Sequence, residues 1–77
     1  MNTKIAARMM WGLVDLCALP DKHPEYGKDH LKDMLTKVMV AEVEDEKAHR
    51  WIGWIQGCIC MSGGSTLEEL KRINKAA

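Results

Sequence analysis

The sequence predicts an all-α protein: a compact bundle of about four short helices, oligomeric rather than solitary. Three observations predict it. Apolar residues recur at spacings of three and four in four separate stretches. Glycine- and proline-bearing breaks punctuate them at Leu19–Gly27 and Ser62–Ser65. Val40-Ala41-Glu42-Val43-Glu44-Asp45 alternates as a strand would, but it has no second strand to pair with and reads as a tight connection. The expectation of self-association comes from size. A chain of 77 residues buries only about 60% of its unfolded surface, so a partner subunit is a natural source of stability.

The first helix is expected from a Thr3 cap to about Ala18. Ile5, Met9, Leu13, Leu16 and Cys17 form its core face, and Ala6, Met10 and Val14 widen it. Trp11 and Asp15 fall towards the other side. Gly12 lies inside the helix at a cost of about 1 kcal/mol, which points to a close backbone approach. Lys4 and Arg8 sit at the positive end of the helix dipole, where cations are mildly disfavoured. Leu19–Gly27 is a loop, with a short turn starting at Pro24. The second helix runs from near Asp29 to Val40, with Leu31, Met34, Leu35 and Val38 inward. Asp29 with Lys32, and Asp33 with Lys37, are spaced to pair on its surface.

Asp45–Met61 is the stretch around which the chain is expected to be organised. It begins charged and ends as the most apolar run in the protein. Ala48, Trp51, Ile52, Ile55, Cys58 and Ile59 make one broad stripe, and Trp54, Cys58 and Met61 flank it. Glu44 or Asp45 caps it, and Glu46 and Arg50 stand one turn apart in the favourable order. So much apolar circumference marks a helix central to the core or shared with a second copy. Ser62-Gly63-Gly64-Ser65 stops it. Ser65 with Glu68, or Thr66 with Glu69, then opens a last helix whose strip is Leu67, Leu70 and Ile73.

Composition narrows the function classes. Eleven basic residues balance eleven acidic ones, which gives no general electrostatic grip on a phosphate backbone. A local basic surface from Lys4, Arg8, Arg50, Lys71, Arg72 and Lys75 stays open, if the first and last helices are adjacent. The three cysteines are an odd number and no secretory leader precedes them, so a reduced protein of the cytoplasm is expected. The longest apolar run is about half of the ~20 residues that cross a bilayer, so no membrane partner is expected.

No residue set spells out a chemistry. Cys58 and Cys60 project about 200° apart on a helix, so they cannot bridge each other. A metal site with His49 or Cys17 is geometrically imaginable, but small buried thiols are the simpler reading. Gly63-Gly64-Ser65 before a helix could hold a small anion, though a helix stop followed by a cap accounts for it. His23 and His30 have no evident partner. No catalytic residue, metal ligand or cofactor site is assigned.

Surfaces are more informative. Trp11, Trp51 and Trp54 are too many tryptophans for a small monomer core to hide easily, and tryptophan is enriched where interfaces hold their binding energy. With Arg8 and Arg50 they are the candidate partner-binding residues. Gly53 and Gly57 are one turn apart, the spacing that lets helices approach closely; packing within the chain is the plain reading. With Cys58 and Met61 they are the candidate self-association residues, a dimer being the first expectation. Gln56 reads as an exposed amide.

Glu46-Lys47-Ala48-His49-Arg50-Trp51-Ile52-Gly53-Trp54-Ile55-Gln56-Gly57, then Gly63-Gly64, then Thr66-Leu67-Glu68-Glu69-Leu70-Lys71-Arg72-Ile73-Asn74, resembles the C-terminal part of small uncharacterised accessory proteins of tailed bacteriophages and prophages. The likeness covers about the last thirty residues. It carries no activity and no site residue, and it implies an origin in a host cytoplasm. Small phage accessory proteins commonly bind a host macromolecule, so the resemblance implies a non-enzymatic, anti-CRISPR-like inhibitor of a host protein or defence complex. The alternative it leaves is a nucleotide- or nucleic-acid-binding regulator, including a cyclic-nucleotide sponge.

Overall fold

Four α-helices and no strand make up the computed structural model, which describes all residues from Met1 to Ala77. They are α1 (Thr3–Asp15), α2 (Lys28–Met39), α3 (Asp45–Met61) and α4 (Leu67–Ala76). The expected helical class and helix number are thus observed. The hub is different. α1, not α3, packs most extensively against the other helices, above all against α2.

The composition of α1 explains why it is central. Ala6 and Ala7 are fully buried beside Met10, Val14 and Cys17, and such small side chains let neighbouring helices close on α1 from several sides. The expected inner face was therefore misplaced. Ile5, Met9 and Leu16 are exposed, and the supposed widening residues are the true core face. α1 is apolar on two sides, and only the side with the smaller residues is covered. Its N-cap is Asn2, not Thr3: the Asn2 side chain accepts from the Ile5 amide at 3.1 Å, a cap worth about 1 kcal/mol. The helix ends at Asp15, three residues early, because the Leu16 and Cys17 amides turn back to the carbonyls of Leu13 and Val14.

α2 is held to the end of α1 by charge. Lys32 meets the Asp15 carboxylate at 2.6 Å and Lys28 donates to the Asp15 carbonyl at 3.2 Å. Both cations serve the negative end of the α1 dipole. Lys32 is thereby taken from Asp29, its expected partner, whereas Lys37 pairs with Asp33 at 2.9 Å as anticipated. That carboxylate raises the Lys37 ammonium above its ordinary range. Leu31, Met34, Leu35 and Val38 all face inward.

The two short connections, after α2 and after α3, close by the same device. After α2, the Ala41 amide donates to Val38 and the Glu42 amide to Lys37, which places Ala41 in the left-handed region at φ 60. After α3, Gly63 donates to Cys60 and Gly64 to Ile59, with Gly63 at φ 80. These are Schellman closures. The Thr66 hydroxyl then accepts from the Glu69 amide at 3.2 Å and starts α4. Leu70 and Ile73 enter the core, but Leu67 stays outside. α4 is also tied to α3 by paired amides: Gln56 donates to Asn74 at 2.6 Å and receives from it at 3.1 Å. Gln56 is half-buried, not the exposed residue anticipated.

Candidate functional site

α3 turns Ala48, Ile52, Ile55 and Ile59 into the core. Seventeen residues of helix then leave an opposite strip of Arg50, Gly53, Trp54, Gly57 and Met61, all exposed. Trp54 is 49% and Met61 89% exposed. Beside this strip lies an open apolar groove of about 540 Å³, with Gly53 and Gly57 as its floor and Ala18, Leu19, Tyr26, Trp54, Cys58 and Met61 around it.

The far wall of the groove is the loop between α1 and α2, and local bonds fix it. The Ala18 amide donates to the Ser62 carbonyl at 3.0 Å, which holds the start of the loop to the end of α3. The Trp54 indole N–H donates to the Glu25 carbonyl at 3.0 Å, which holds the middle of the loop to the middle of α3. His23 stacks on Tyr26 at 3.6 Å between centroids, and its Nδ1 accepts from the Glu25 amide at 3.1 Å. Gly27 closes this turn where a Cβ would strike the His23 backbone. The next two amides, of Lys28 and Asp29, reach back to Pro20 and Asp21. Trp54 is consequently a fixed ridge. On its other side lies a second, shallower groove lined by Trp51, His30, Met34 and Glu25.

The glycine floor has no explanation inside the subunit. A Cβ built on Gly53 or Gly57 meets nothing within 4 Å, so neither packs against another helix of this chain as expected. Gly12 is likewise open, and no backbone approaches it. Each glycine in a helix interior is about 0.8–1.0 kcal/mol worse than alanine.

The groove is electrically quiet. Cys58 is the titratable residue among those lining its floor and α3 wall, and burial, with a smaller contribution from Cys17, pushes its thiol above the ordinary range. It is therefore neutral at physiological pH. Arg50 stands at the N-terminal end of the strip, 3.7 Å from Glu46. Lys47 lies over the Trp51 ring at 5.3 Å.

Of the residues singled out in the sequence, the structure brings together Gly53, Trp54, Gly57, Cys58 and Met61, with Arg50 next to them on the strip. Trp51 is half-buried at the second groove. Arg8 and Trp11 do not join: they sit on α1, where Lys32 lies over the Trp11 ring at 5.4 Å. Leu19 and Tyr26 were missed because a loop has no periodicity to read, and Ala18 because it was assigned to the end of the first helix, which stops at Asp15. The prolines and the His23–Tyr26 spacing were the available signal of a rigid wall.

The remaining constellations do not assemble. No three His, Cys, Asp or Glu side chains gather as a metal site. Cys17 is buried and its thiol donates to the Leu13 carbonyl, while His49 is bonded to the Asp45 carbonyl at 2.8 Å. The amides of Gly63 and Gly64 are used by the helix stop, so they offer nothing to an anion. In the supposed basic surface, Arg50, Lys71 and Arg72 each face a carboxylate on their own helix, at 3.7, 3.8 and 3.3 Å. No helix is long and apolar enough to cross a membrane. No protein-family model matches the chain, no curated protein matches it, and no solved structure matches its fold.

Proposed function

We propose that the protein is a non-enzymatic binding module that docks the outer face of α3 onto another protein. The biological reading that goes with it is a phage-encoded inhibitor of a host protein, an anti-defence factor of the host cytoplasm. The observation that carries the docking reading is the apolar groove beside a half-exposed tryptophan held rigid by its own N–H bond. An aromatic anchor fixed before binding loses little freedom on binding, which is the pattern of interface hot spots. The groove volume of about 540 Å³ also falls in the range of small-ligand pockets. Its lack of converging polar groups favours an apolar protein segment over a polar metabolite. The phage origin is supported by the sequence pattern alone.

The test is affinity capture from host lysate with tagged wild type and with Trp54→Ala. Wild type should retain a stoichiometric protein, and the variant should lose it while keeping the same helical circular dichroism. Equal capture by both would place docking elsewhere, and no capture by either would remove the host-partner reading.

A further inference from the structure

We propose that the outer face of α1 is a second docking surface, and that its occupant is an amphipathic helix of another protein with carboxylates along one edge. This face shares no residue with the α3 groove, and it is tested separately from the docking reading above.

Two rows run side by side along the face. Ile5, Met9, Gly12 and Leu16 follow one another in steps of four, three and four, and all are exposed. Lys4, Arg8, Trp11 and Asp15 form the neighbouring row with the same steps. The first row is apolar although the opposite side of α1 already holds the core. Alternate steps of four and three make the seam along which two helices pack lengthwise. Gly12 leaves a gap in that seam. A Cβ there would meet nothing within 4 Å, so a bulky side chain of the occupant can enter it.

The second row sets the charge of the occupant. No carboxylate lies within 4 Å of Lys4 or Arg8. The first turn of α1 carries no acidic residue either. Carboxylates of an occupant would meet two free cations and the positive end of the helix dipole together. Asp15, the one acid of the row, does not repel them: Lys32 holds its carboxylate at 2.6 Å and Lys28 donates to its carbonyl. Other occupants fit less well. Lys32 lies over the Trp11 ring at 5.4 Å, so the indole is no open platform for a nucleobase. A bilayer holds a helix through a broad apolar face. Here the apolar row is narrow, because Leu13 beyond it is half-buried, and the cations line one edge only.

Fluorescence anisotropy of a labelled synthetic peptide with the purified full chain tests this. The probe is a helix of about 20 residues with leucines at the same alternating steps and glutamates along one edge. Its comparator has lysines in place of the glutamates. The glutamate peptide should bind roughly tenfold tighter or more, and the preference should shrink as salt is raised. Arg8→Glu should reverse the preference. Gly12→Leu, which adds its side chain into open space, should weaken binding of the glutamate peptide with unchanged circular dichroism. Trp54→Ala should bind as wild type does. In the complex, Met9 should be protected from peroxide while Met61 stays reactive. Equal binding of the two peptides, or a preference unmoved by Arg8→Glu, overturns the proposal. So does loss of binding in Trp54→Ala, which would move the peptide to the α3 groove. Protection of Met9 by phosphatidylglycerol vesicles or by a single-stranded oligonucleotide, with none from the glutamate peptide, overturns the acidic helix as occupant.

Discussion

Replacing Gly53 and Gly57 by alanine should stabilise this protein and impair its binding. Both positions lie inside a regular helix, face outwards, and leave room for a Cβ with nothing within 4 Å. The folded subunit therefore incurs no clash, and the helix gains about 0.8–1.0 kcal/mol at each site. Each gain is a helix-propensity effect of its own position, so the pair should contribute about 2 kcal/mol. For a domain of this size that corresponds to about 8–16 °C in Tm. The assay is urea denaturation followed by far-UV circular dichroism. The m-value should not change. In parallel, host capture should fall, because each added methyl separates the docking surfaces. A more stable protein that binds less well is the mark of residues kept for an interface. Destabilisation by either alanine would refute the reasoning, since it would mean that the fold itself requires the glycines.

Further outcomes follow from the geometry. Ala41→Gly should gain about 0.5–1 kcal/mol in a guanidinium titration, because Ala41 sits at φ 60, where glycine avoids a penalty of about 1–2 kcal/mol but gives up more chain entropy; a loss would contradict the strain reading. Asn74→Ala should lose about 1–2 kcal/mol by thermal unfolding, since it strands the half-buried Gln56 amide; an unchanged Tm would mean the amide pair contributes nothing. Gly64→Ala should lose about 1–3 kcal/mol in the same assay, because its Cβ would lie 2.5 Å from the Cys17 sulfur and 2.9 Å from the Leu13 carbonyl oxygen; a neutral result would show that the end of α1 yields freely. Cys58 should be alkylated by iodoacetamide slowly at mildly alkaline pH, because burial raises its pKa and keeps the thiol protonated. The same shift means that the folded chain holds its proton longer than the unfolded one, so stability should fall as pH rises past the ordinary thiol range; rapid alkylation near neutral pH would contradict both.

Much of the fold was legible because local signals agreed. The Asp45–Met61 bounds of α3 follow from an acidic first turn and a double-glycine stop, and the inner face of α2 from a single clean stripe. The inner face of α1 was not legible. Ile5, Met9 and Leu16 are larger and more apolar than Ala6 and Ala7, so hydropathy favoured the wrong side. What decided the matter was the need for small residues on a helix contacted by three others, a property of the assembled bundle. The choice of Asn2 over Thr3 as cap is similar, since both residue types cap well. Gln56 found its partner 18 residues away in Asn74, beyond any local rule. Of the candidate site, the α3 half was readable from the positions of Gly53, Trp54, Gly57 and Met61. The loop half was not, because Ala18, Leu19 and Tyr26 reach the groove only through tertiary hydrogen bonds.

Limited peroxide oxidation, read by mass spectrometry for each methionine, tests the docking face most directly. Met61 is 89% exposed on that face, Met9 is 44% exposed on the outer side of α1, and Met10 is fully buried. With the α3 partner bound, Met61 oxidation should slow several-fold while the Met9 rate holds and Met10 stays unreactive. Met61 oxidised at one rate in the free and bound protein would contradict α3 as the docking surface.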